Sequence, residues 1–253
     1  VGTDLRIETT GEEAPGIFIA GTAALTGGTV RTRGPGAPAL SVSGSLQMGK
    51  TAVVALRSGA LALGPGKVNL TDVTLVAGDG PGILWDAGVG PSGGTAAISG
   101  GSLASGGGPL FQANRKGCAL ALRGVLLARG SSPLIQVAND ASLNVRASAQ
   151  VLEGPVLVGT GGHLSLDLSE GSVWTGNTDP DPLSGTSDLS LSADSSWNLT
   201  DDSWVEVLKV VGATGGLGVL HSGGHLVHYR LSANPWLGGR TWPLEGGGSL
   251  VPY

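Results

Sequence analysis

The chain has 253 residues, 46 of them glycine; charged residues make up 13% and aromatics 4%, so a globular core built on large rings is not expected. Glycine at this level without a three-residue period excludes collagen, and a hydrophobic fraction of 40% excludes a disordered chain. The formal net charge of −5 gives no electrostatic support for nucleic-acid binding. No apolar run reaches the ~18 residues of a membrane-spanning helix. The single cysteine, Cys118, rules out an internal disulfide framework and stands at an apolar strand position, where a buried thiol is expected rather than a nucleophile. The opening residues Val1-Gly2-Thr3-Asp4 have neither the basic nor the apolar region of a signal peptide, so a mature or excised fragment is expected.

Taken in order, Asp4-Leu5-Arg6-Ile7-Glu8 alternates at period two, and the turn through Pro15 leads to the strand Gly16 to Ala20. The next units run from Ala23 through Val30 to Leu40-Ser41-Val42, then through Leu46-Gln47-Met48, Val53 to Leu56 and Ala60 to Leu63. Val68-Asn69-Leu70, Val73 to Val76 and Pro81 to Leu84 follow, and a small insertion at Val89 to Gly93 leads on to Thr95. Thr95 to Ala141 shows the plan most clearly. Two strands, a Gly/Ser turn, a proline and a third strand (Pro109-Leu110-Phe111, then Pro133-Leu134-Ile135) recur after about 23 residues, a spacing in the solenoid range. Further units pass through Leu143, Pro155, His163, Trp174, Leu189, Trp197 and Trp204 to Leu208, with a longer loop from Asn177 to Ser187.

No segment has a helical apolar period. A β-sandwich would also give many short strands, but a fixed order of strand, strand, turn and strand repeated this often predicts an all-β chain folded as a right-handed parallel β-helix of about nine coils. Residues 1–212 are assigned to it. In such a rod each coil covers its neighbours' backbone edges at about 4.8 Å spacing, and inward Leu, Ile and Val stack in columns. Residues 213–253, where the repeat fades and Tyr229, Trp236, Trp242 and Tyr253 concentrate, are expected to form a cap or irregular last coils over the open end.

Chemistry-bearing groups are few. No Lys or Arg occurs from Ala147 to Leu208, while Glu153, Asp167, Glu170, Asp179, Asp181, Asp188, Asp194, Asp201, Asp202 and Glu206 all fall there. Paired carboxylates can cleave glycosides, but most of these sit in turns, where Asp is favoured for local hydrogen bonds. A lyase would also need a basic residue, and none is near in sequence. The acidic end has no consensus calcium loop. His221, His225 and His228 would share the face of a helix and could then bind zinc, but Gly223 and Gly224 argue against a helix there. Gly106-Gly107-Gly108 does not lead from a strand into a helix, so a phosphate loop is unsupported. Asn69-Leu70-Thr71 and Asn198-Leu199-Thr200 fit the N-glycosylation triplet. No catalytic residue, metal or cofactor is expected. Insertions in solenoids project on one face, often the binding face; this singles out Val89, Pro91 and Ser92, the turn residues Arg115 and Lys116 near Asp86, and Asp179 and Asp181 in the later loop as partner-binding candidates.

The run Gly171 to Gly212 resembles the C-terminal coils of pertactin-like autotransporter passengers. It carries Trp174-Thr175-Gly176, then Leu189-Ser190-Leu191, then Ser196-Trp197 with Thr200, Ser203, Val205 and Leu208, in that family's order. The resemblance covers about a sixth of the chain in motif and the rest in pattern only. It implies a bacterial surface or secreted passenger, exported through a β-barrel and displayed as a monomeric rod that binds a host protein or cell-surface receptor. This chain has no recognisable barrel, no familiar stretch after Val211 and no Arg-Gly-Asp tripeptide. A passenger or part of one is therefore expected, with membrane contact only through a barrel it does not carry. The alternative expectation is a polysaccharide-active or glycan-binding β-helix.

Overall fold

The computed structural model describes residues 1–86, 92–178, 185–211 and 216–253. Its strands wind into a parallel β-solenoid of about 10 turns, with 55% of residues in strands. The helical pieces among the described residues are two 3-10 segments, Leu231–Ala233 and Pro235–Leu237.

Period-two alternation becomes an inside and an outside because successive strand side chains point to opposite faces. In Ser45–Gly49, Leu46 and Met48 are buried while Gln47 is exposed. Parallel in-register pairing then stacks each inward residue on its counterpart one turn away. One such column runs Leu46, Val68, Ala96, Leu120, Val145, Leu166, Leu189, Leu208. A second, from the third strands, runs Ile17, Leu40, Leu61, Ile83, Phe111, Ile135, Val156. These columns form one continuous core.

The corner between first and second strands uses a residue in the left-handed region. Lys50, Asp72, Gly100, Gly124, Ala149 and Glu170 occupy equivalent places there, all with φ between 48° and 65°. A side chain costs about 1 kcal/mol in that conformation, which the flanking ladders on both sides hold in place.

The Trp-Thr-Gly and Ser-x-Trp segments have a packing role. Trp174 and Trp197 are both buried and stack with ring centroids 4.9 Å apart and planes 5° apart, close to the strand spacing. Each indole N–H donates to a glycine carbonyl of the preceding turn, Trp174 to Gly154 at 3.1 Å and Trp197 to Gly176 at 2.9 Å. A Cβ on Gly176 would lie 2.1 Å from the Gly154 oxygen and 2.6 Å from Trp174 Nε1, so only glycine fits beside the stacked rings.

At the C-terminal end the ladder Ser203–Val205, Leu226–Tyr229, Ser249–Pro252 continues in parallel, with Trp242–Pro243 antiparallel beside it. The edge of Val207–Val211 is covered by side chains instead of a strand. Asn234, fully buried, accepts the Leu208 N–H at 2.8 Å, and the Trp236 indole donates to the Leu208 carbonyl at 3.1 Å. Of the four aromatics expected to cap this end, Tyr229 is buried, whereas Trp236, Trp242 and Tyr253 are 50%, 38% and 43% exposed.

Candidate functional site

Of the partner-binding candidates, Val89, Pro91, Asp179 and Asp181 lie outside the described residues. The other three meet at one corner. Arg115 reaches back one turn and donates from Nε and Nη2 to the Asp86 carbonyl, at 3.2 and 2.9 Å. Ser92 forms a parallel bridge with Lys116, and the Gly93 N–H donates to the Lys116 carbonyl at 2.6 Å. Cys118 sits beneath, its thiol 3.2 Å from the Arg115 carbonyl, and burial pushes its pKa up to about 11. A Cβ on Gly93 would run into that sulfur. The corner is therefore a closely bonded turn, with its main chain and the Arg115 guanidinium joined to the neighbouring turn.

A larger feature lies on another face. In four consecutive turns the corner between second and third strands covers residues 56–60, 78–82, 106–110 and 130–134; in the next it shrinks to residues 154–155. The shorter corner pulls the second strand out of line. Leu126–Arg129 therefore ends one sheet, and Val151–Glu153 begins another rather than pairing with it. The two edges face each other across a cleft of about 660 Å³ lined by residues 124–130 and by Leu110, Ala149, Gln150, Val151 and Glu153.

Buried polar backbone needs partners, and here two side chains supply them. The Gln150 amide, 2% exposed, accepts the Val125 N–H at 2.9 Å and donates to the carbonyls of Val125 and Val151, both at 2.8 Å. Arg129 spans the mouth, donating to the carbonyls of Glu153 and Ser132, both at 2.9 Å. A Cβ on Gly154 would lie 2.3 Å from Arg129 Nε, so glycine makes room for that guanidinium. Leu126 and Val151 are left 75% and 59% exposed on the rim. Sequence reading missed this site; the one signal for it was the contraction from Arg-Gly-Ser-Ser-Pro at 129–133 to Glu-Gly-Pro at 153–155.

The acidic stretch needs a correction. It lacks basic residues along the chain, but stacking brings them from other turns: Arg123 pairs with Glu170 at 2.5 Å and Arg230 with Glu206 at 2.8 Å. Asp188 is held above the ordinary carboxylate range chiefly by burial, with His163 3.6 Å away acting in the opposite direction. The three C-terminal histidines do not converge. His221 faces Glu245 at 3.2 Å, His228 stacks on Trp204 at 4.2 Å, and His225 approaches Asp202. Asn198 of the second glycosylation triplet donates to Thr175 Oγ1 at 3.3 Å, within the fold rather than away from it.

No family model matches the chain, and no curated protein or solved structure matches it either.

Proposed function

We propose that the chain is a non-catalytic, rod-shaped passenger segment of a bacterial surface or secreted protein, and that it binds a host protein or cell-surface receptor. The parallel solenoid and the Trp-Thr-Gly to Val205 run support the passenger reading. The observation that carries the binding reading is the cleft between Leu126–Arg129 and Val151–Glu153. Large apolar side chains rim it, in a rod whose other outward strand positions are mainly polar or small. An apolar rim around main-chain hydrogen-bonding groups is the composition of a protein-contacting patch.

The test immobilises the chain and titrates host serum and epithelial lysate, identifying retained proteins by mass spectrometry. One saturable partner, lost in the double variant Leu126→Asp, Val151→Asp and kept in Arg115→Ala, supports the reading. Retention unaffected by the rim variant rejects the cleft as the contact. Failure to retain any protein, together with binding to a polysaccharide array, supports the glycan reading instead.

A further inference from the structure

We propose that Asp201, Asp202 and His225 form a binding site for a divalent transition-metal ion of the zinc class, clamping two successive turns near the C-terminal end of the rod. The three side chains come from consecutive corners. Asp201 and Asp202 lie between the strands Ser196–Leu199 and Ser203–Val205, and His225 immediately precedes Leu226–Tyr229. Ser203 pairs with Val227, so two residues earlier Asp201 falls opposite His225. The ladder register thus sets the approach of imidazole to carboxylate. One ligand atom from each of the three side chains lies within 4.8 Å of the other two. A four- or five-coordinate ion with bonds of about 2.1 Å needs ligand separations of about 3.0 to 3.6 Å, a contraction that side-chain rotation supplies.

The carboxylates are already oriented. Asp202 Oδ1 accepts the Leu226 N–H at 2.8 Å and Asp201 Oδ1 accepts the Asp202 N–H at 2.8 Å, and each carboxylate keeps further lone pairs for an ion. His225 Nδ1 stands 3.7 Å from Asp202 Oδ1, beyond hydrogen-bonding distance, so the groups converge without satisfying one another. Among the described residues neither carboxylate pairs with a lysine or arginine, unlike Glu170 and Glu206 on the same rod. Two adjacent carboxylates with no lysine or arginine beside them favour a cation, and the imidazole chooses its class. Calcium and magnesium take oxygen ligands, whereas imidazole with carboxylates suits zinc and its first-row neighbours. A Cβ on Gly224 would meet nothing within 4 Å, so water can complete the coordination shell on that side.

The experiment uses the whole chain freed of metal with a chelator. Zinc binding is followed by calorimetry, and cobalt(II) binding by its visible ligand-field absorption. The expected result is one ion per chain, a cobalt band of tetrahedral or five-coordinate intensity, and an unfolding temperature raised by zinc but not by calcium. His225→Ala and Asp201→Asn should each weaken zinc at least about 10-fold, while His221→Ala leaves it unchanged. Metal-free urea curves of the variants that overlay the parent show that folding is intact, and the exposed Asp201→Asn serves where His225→Ala does not fold. Zinc affinity equal in parent and Asp201→Asn, equal loss in His221→Ala, or a rise in unfolding temperature with calcium alone would each overturn the proposal.

Discussion

Replacing Gln150 by leucine tests whether one buried amide holds the broken ladder together. Leucine keeps nearly the same bulk but removes the acceptor for Val125 N–H and the donor shared by the Val125 and Val151 carbonyls. A buried donor left without a partner costs about 1 to 3 kcal/mol, and each carbonyl deprived of a bond costs about 0.5 to 1 kcal/mol more. Burying a methyl-bearing group in place of an amide returns about 1 kcal/mol. The expected net loss is therefore about 1 to 4 kcal/mol, read as a lower urea midpoint at unchanged slope. The same variant should lose hydrogen-exchange protection at the Val125 amide, with protection at Leu46 and Leu120 little changed. Gln150→Glu sharpens the test, because it keeps an acceptor but turns an oxygen toward two carbonyls. Burial and those carbonyls raise the folded-state pKa of the introduced carboxyl above its unfolded value. That variant should therefore gain stability as the pH falls through the raised pKa and protonation restores a donor. A Gln150→Leu protein within about 0.5 kcal/mol of the parent, with Val125 still protected, would refute this account of the cleft.

Three further outcomes follow from the packing. Gly176→Ala must displace either the Gly154 carbonyl or the Trp174 indole; a loss of about 1 to 3 kcal/mol is expected, with altered near-ultraviolet circular dichroism from the Trp174–Trp197 pair, whereas Gly218→Ala, which meets nothing within 4 Å, should be near neutral. With its pKa raised from 9.0 to about 11, Cys118 should be alkylated in native protein at pH 8 at least about 100-fold more slowly than in urea; the unfolded thiol ionises first, so its contribution to stability is lost as the pH rises from 9.0 toward 11. Asp188→Asn should raise stability at neutral pH, because burial holds the native carboxyl above its ordinary pKa; native Asp188 binds its proton more readily folded than unfolded, so the advantage shrinks as acid protonates it, and a pH series of thermal midpoints checks this.

The strand content, the stacking plan and most of the core were legible in the residues, because period-two alternation and a recurring proline are local signals. Leu46, Val68, Leu120 and Leu166 announce themselves as inward residues wherever the alternation is read. The left-handed corner was not legible: Lys50, Asp72, Gly124, Ala149 and Glu170 share a backbone conformation that their chemistry does not, since the corner is imposed by the ladders on either side. The charge pattern misled for a related reason. Arg123 lies 47 positions from Glu170 in the chain (170 − 123) but pairs with it across the stack.

Sequence by itself determined the class of fold and the identity of its columns, since alternation and repeat length are properties of one turn at a time. Which groups meet was decided only in three dimensions. The two-residue corner at Gly154-Pro155 opens the cleft only because the preceding turns hold a longer corner in register. Asp201 and Asp202 meet His225 for the same reason. Register between turns depends on every corner length at once, and it, more than any single motif, places the chemistry of this rod.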